Sequence, residues 1–210
     1  MNEILISAIV GIVGIAVGAF INSIYSILRV KKEAKLRVIE KILDKRINAH
    51  DEIIEMTKYI RNIDFTGADA NNNIEGFPII LKSRKDFDNY YYYITQSINN
   101  NTQWFNSELE KKLNLFTDYL INLFKKIDET NDQNIQKIGI LIKQDFINFS
   151  SQIENLAFDF YRVDIFKLTI NKYDKWHKYP KEKTLNYLNE TQLFKRQEDI
   201  NEIISLSNEN

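Results

Sequence analysis

The chain has no cysteine, two prolines, two histidines and six glycines among 210 residues. The lack of cysteine excludes disulfides, thiol nucleophiles and cysteine-ligated zinc. It also fits a reducing compartment. So few prolines and glycines leave little punctuation for strands and tight turns, which predicts long helices. The Glu-x-x-His pattern of di-iron helical bundles is absent, as are a phosphate-binding glycine loop, a Gly-x-Ser-x-Gly elbow and a zinc-protease signature. No catalytic residue set, metal or cofactor is therefore expected, and the chain reads as a binding protein rather than an enzyme. An excess of positive charge is also missing: 28 bases face 29 acids, for a net charge of −1. That balance argues against general nucleic-acid binding.

What the chain does have is an apolar opening. "SAIVGIVGIAVGAFINS", Ser7 to Ser23, carries no charge, and the apolar core from Ile4 to Ile21 is 18 residues long. As a helix this spans about 27 Å at roughly 1.5 Å per residue. Continuing to Leu28 makes it long enough for a hydrocarbon core of about 30 Å. A cleaved signal wants bases before the run and a small-residue site after it. No Lys or Arg precedes this run, and "FINSIYSILRVKK" offers no such site. The expectation is a single transmembrane anchor over 1–28. Its flanks set the orientation, because Lys and Arg near a membrane end stay cytoplasmic. Between residues 29 and 46 lie eight bases against Glu33, Glu40 and Asp44. The N-terminus is then outside the inner membrane and residues 29–210 are cytoplasmic, and the three N-x-S/T sequons at Asn100, Asn148 and Asn189 are chance matches.

Three of the six glycines lie in the anchor. Ser7, Gly11, Gly14, Gly18 and Asn22 recur at helical spacing and form one stripe. Gly14-x-x-x-Gly18 matches the small-residue pattern by which membrane helices approach closely. The stripe is the candidate contact face for a homo-oligomer. Arg29, Lys31, Lys32, Lys35 and Arg37 are the candidate contacts to anionic lipid, each contributing about 1 kcal/mol when near the surface.

The remainder predicts an all-α fold: an elongated antiparallel bundle of about four helices. Residues 29–63 read as a basic juxtamembrane stalk helix leading into the bundle, 64–78 as a loop, and 79–210 as the bundle. Apolar residues recur at helical intervals over 31–63, 83–129, 133–176 and 181–207. Ser107 and Glu110 have capping-box spacing. Ile135, Ile138, Ile142, Phe149, Ile153, Leu156, Phe160 and Val163 fall on a heptad seam, with Phe146 beside it. Leu141, Ile165 and Leu168 widen that face. In "NYYYYI", successive side chains are about 100° apart, so four tyrosines wrap the helix and cannot share one pocket. Tyr91 fits the buried stripe, Tyr90 its edge, while Tyr92 and Tyr93 face outward. With Trp176 of "YDKWHKYP", Tyr92 and Tyr93 form the candidate patch for an unknown protein partner. His50 reads as a helix-surface histidine, since Arg46, Ile47, Ile53 and Ile54 at three and four residues complete no metal site.

Abundant Asn, Ile and Lys, all with A+T-rich codons, suggest a bacterial or phage genome. The reading that follows is a single-pass membrane-anchored interaction or scaffold protein. The alternative is a membrane-acting effector, such as a phage-exclusion or toxin-like protein.

Overall fold

The computed structural model describes residues 2–66, 74–128, 130–165 and 177–205. The described chain is almost entirely helical. Helix α1 runs Asn2–Arg61. Two short strands follow, β1 (Ile63–Phe65) and β2 (Gly76–Pro78), then α2 (Arg84–Asn101), α3 (Ser107–Ile127) and α4 (Asp132–Asp159). A π turn, Phe160–Asp164, extends α4. Helices α5 (Lys181–Asn189), α6 (Gln192–Lys195) and α7 (Gln197–Ser205) complete the described chain. Two compact units divide it, residues 1–44 and 45–210.

The first unit is the N-terminal part of α1. The second is a helical bundle whose first helix is the remainder of α1. There Ala49, Ile53, Ile54, Met56 and Ile60 are buried. Ala49, Ile53, Met56 and Ile60 return every three or four residues, with Ile54 beside them, and so face one way. Pairings across the bundle show that each helix runs against the next. Glu52 of α1 accepts from Ser97 and Asn101 of α2, while Tyr59 stacks on Tyr90. Arg84 of α2 bonds to Asp128 just beyond α3, while Thr102 bonds to Glu110 within α3. Lys112 and Tyr119 of α3 reach Gln152 and Asp145 of α4. Finally Arg61 meets Glu154, and His50 stacks on Phe160, so α4 closes back on α1.

Several predicted boundaries move. The 83–129 region is two helices rather than one. The chain leaves α2 at Asn101, passes through a 3-10 turn and becomes extended at Phe105, whose ring is fully buried. Asn106, not Ser107, caps α3 by accepting from Leu109 N–H at 2.8 Å. The Glu110 carboxylate therefore bonds to Thr102 instead of closing a capping box. The bundle helices are the end of α1 with α2, α3 and α4, the last three being 18, 21 and 28 residues long. The 64–78 segment is not wholly loop: Ile63 pairs with Pro78 and Phe65 with Gly76 in an antiparallel ladder. Glycine fits there because a Cβ at position 76 would stand 2.7 Å from Ile63 Cγ2. The heptad seam is buried from Ile135 through Ile153, Leu156 is half-buried and Phe160 is buried. It stops before Val163, which is exposed. The π turn inserts a residue and turns later side chains off the seam. Leu168, on the same predicted face, lies outside the described residues.

The last region also departs from a single helix. Breaks at Glu190–Thr191 and Arg196 divide it into three. The cause lies on α4. The buried Asp145 carboxylate accepts from Gln192 N–H at 2.8 Å and from Leu193 N–H at 3.0 Å. Those are first-turn donors that α6 cannot satisfy internally. Tyr119 O–H completes the set at 3.0 Å. A helix that ran straight through 190–192 would use these donors itself and leave a buried carboxylate short of partners.

This packing makes two substitutions informative. Asp145→Asn turns one acceptor oxygen into an amide N–H₂ that opposes at least one of the three donors, and should cost about 1–3 kcal/mol, read as a fall in midpoint in thermal unfolding. Burial raises the Asp145 carboxyl pKa against the opposing pull of Gln192, Leu193, Tyr119 and Lys195. The folded chain thus holds this proton more tightly than the unfolded chain. Its contribution to stability falls as pH rises from the ordinary value near 3.9 through the raised one, and the gap between wild type and variant should narrow over that window. Second, a Cβ at Gly139 of α4 would meet Phe77 Cβ at 3.2 Å and Leu81 Cδ1 at 3.3 Å. Gly139→Leu should destabilise by at least about 1–3 kcal/mol, and unchanged urea unfolding would contradict that close approach.

Candidate functional site

The N-terminal candidate is built on α1. Val13, Ile15, Val17, Phe20, Ile21, Ile24, Ile27, Leu28 and Val30 are all exposed. With successive residues about 100° apart, this set surrounds the helix instead of forming one stripe. The helix is long and apolar enough to cross a membrane, and none of its most apolar window is buried within the chain. Of the predicted contact stripe, Gly11, Gly14, Gly18 and Asn22 are exposed. Among the described residues, nothing beyond the adjoining turns of α1 lies within 4 Å of where a Cβ would stand on any of the three glycines. Ser7 lies on the same helix. Arg29, Lys31, Lys32, Lys35 and Arg37 follow, all exposed, with Arg29 bonded to Glu33 at 2.9 Å.

The tyrosine run sits on α2. Its buried member is Tyr90, not Tyr91, which is half-buried. The cause is Tyr59 of α1, whose ring stacks on Tyr90 at 5.4 Å between centroids. Burial raises the Tyr90 hydroxyl pKa well above its ordinary value. Tyr92 and Tyr93 are both exposed, at 69% and 40%. Tyr93 joins Tyr59 and Tyr90 in a cleft of about 440 Å³, completed by Glu55, Asp86 and Asn89. Tyr92 is not part of its lining. Trp176 and Tyr173 lie outside the described residues. Glu55 and Tyr59 escaped notice in the sequence because only the pairing of α1 with α2 brings them to the tyrosine run. Their spacing of four residues does place them on one helix face.

A second aromatic cluster joins α3 to α5. Lys183 Nζ lies 4.9 Å from the Tyr179 ring centre and 5.5 Å from that of Tyr187, and Lys112 Nζ lies 5.1 Å from the latter. Lys112 is half-buried and bonds to Gln152 at 2.6 Å. Its pKa is lowered, first by burial and then by the like charge of Lys183. Glu190, which lines a cleft with Lys112 and Tyr187, pulls the other way. His177 Nδ1 lies 2.7 Å from the buried Glu110 carboxylate. Its backbone carbonyl accepts from Asn114. These contacts pin the segment before Pro180 onto α3.

No group of three His, Asp or Glu side chains among the described residues is placed to hold a metal. Glu154 pairs with Arg61, and Asp159 lies 3.8 Å from Arg162. His50 is not a surface residue. It is fully buried, stacks on Phe160 at 4.1 Å and donates from Nδ1 to the Arg46 carbonyl at 2.7 Å. The π turn brings Phe160 against it, an event the local spacing of α1 does not encode. His50→Ala should therefore cost about 2–4 kcal/mol, as for other large core truncations. A surface histidine would shift stability by no more than about 0.5 kcal/mol, and a denaturant melt separates the two.

The chain matches no protein-family model, no curated protein and no solved structure.

Proposed function

We propose that this chain is a single-span membrane protein whose helical bundle acts in the cytoplasm by binding partners. One observation carries the reading: an all-round apolar helix surface that nothing in its own unit covers. Exposing so many Val, Ile, Leu and Phe side chains to water is unfavourable by roughly 25 cal/mol per Å². A hydrocarbon layer of about 30 Å removes that cost and suits the length of the segment. The bases that follow favour the cytoplasmic side for the bundle, and Arg29, Lys31, Lys32, Lys35 and Arg37 contact anionic headgroups. The stripe from Ser7 to Asn22 supplies a self-association face, since bare glycines let helix backbones approach. Binding, rather than chemistry, fits the ion pairs that occupy the acidic side chains of α4 noted above.

Fractionation and reporter fusions test this together. The chain should stay with membranes through carbonate extraction. A reporter that works only in the cytoplasm should be active when fused after Asn210; activity of a periplasmic reporter there would reverse the orientation. Crosslinking of the detergent-solubilised chain should give an oligomer that Gly14→Leu abolishes, and a monomer for both forms would remove the self-association role. Induced expression with a membrane-potential dye addresses the effector alternative: steady depolarisation would overturn a purely tethering anchor.

A further inference from the structure

The cleft between α1 and α2 combines aromatic rings with acidic side chains. Three tyrosines line it, and two carboxylates, Glu55 and Asp86, stand beside them with the Asn89 amide. Six aromatic rings elsewhere in the bundle lie under the chain's own cations. Lysine or arginine groups lie over Trp104, Phe160, Phe124, Tyr179, Phe149 and Tyr187. Among the described residues none lies over Tyr59, Tyr90 or Tyr93. The faces of these rings are electron-rich and attract a cation within about 6 Å.

The carboxylates are only partly engaged. Glu55 meets Lys58 through one oxygen in an exposed pair, the kind that contributes little. Asp86 takes the Ser83 hydroxyl through one oxygen, and no donor among the described residues reaches the other. Tyr90 is 3% exposed, and its buried hydroxyl has no hydrogen-bond partner among the described residues. Such a group normally has one. The missing partner, the uncovered rings and the spare carboxylate oxygens all favour a positively charged N–H donor.

We propose that this cleft binds an organic cation, and that its natural occupant is an arginine or lysine side chain of a partner protein. The assignment to a protein partner rests on the interaction role proposed above, whereas the preference of the cleft for a cation does not. Neither depends on the membrane anchor. Tyr59 and Tyr93, both partly exposed, grip the cation through their rings, and Glu55 and Asp86 supply the counter-charge. The cleft volume of about 440 Å³ accommodates a single side-chain head group.

The test uses the full chain in maltoside micelles, with 3-fluorotyrosine incorporated and the Tyr59, Tyr90 and Tyr93 fluorine resonances assigned by Tyr→Phe variants. Three probes are titrated: a blocked Gly-Arg-Gly peptide, its neutral citrulline counterpart, and tetramethylammonium. The arginine peptide should shift the three resonances with a dissociation constant on the order of millimolar, and the citrulline peptide should not. The double substitution Glu55→Gln with Asp86→Asn should weaken binding at least tenfold, and so should Tyr93→Ala. Equal shifts from the arginine and citrulline peptides, or no shift from any probe, overturn the proposal. Tetramethylammonium binding without peptide binding overturns the protein source and leaves a small free cation as the ligand. Loss of the membrane or oligomer results described above would leave these titrations unaffected, so the two readings fail separately.

Discussion

Asp145 lies on the buried face of α4, and its carboxylate takes three donors from two elements. Tyr119 reaches it from α3, and two backbone N–H groups reach it from the start of α6. A buried carboxylate without partners is costly, so the polypeptide around it has to supply them. The break in the C-terminal region, the inward turn of Tyr119 and the docking of α6 on α4 all answer that demand. The surrounding packing is aromatic: Phe116 and Tyr119 meet Phe149 at 5.0 and 5.1 Å. Ring contacts of this kind favour one arrangement over sliding alternatives, which places the Tyr119 hydroxyl beside the carboxylate.

The two units solve the hydrophobic problem in different ways. In residues 45–210, apolar side chains from α1, α2, α3, α4 and the C-terminal helices enclose one another in a common core. In residues 1–44 the large apolar side chains described between Val13 and Val38 are exposed. A single helix has no second layer against which to bury them, so the solvent around it must do the work. The glycines follow the same division. Gly139 allows α4 to close on Phe77 and Leu81 inside the core, whereas Gly11, Gly14 and Gly18 face open space.

Cations and rings are distributed with a similar economy. Arg84 lies 4.2 Å from the Phe124 ring centre while bonding to Asp88 and Asp128, and its backbone N–H donates to Asp132. One residue thereby ties the start of α2 to the end of α3 and the start of α4. The α1–α2 cleft differs because its tyrosines lie beside carboxylates and no cation of the described chain covers them. Its acids are held by contacts inside their own helical turns, Glu55 by Lys58 and Asp86 by Ser83.

Helicity was legible in the residues, because apolar side chains recurring every three or four positions leave a helix as the economical way to bury them. So was the exposed apolar opening, since its length and lack of charge are local properties. The break at Phe105, the splitting of the last region and the burial of His50 were not legible. Each depends on a partner far away in the chain: Asp145 for α6, Phe160 for His50, and the core for Phe105. The Tyr59–Tyr90–Tyr93 cleft belongs to the same class. Periodicity specifies which side of a helix is apolar, and it did so here for nearly every helix. Which helices meet, and hence which polar groups are left facing a common space, is decided only when the chain packs, because that energy comes from contacts between residues that share no local pattern.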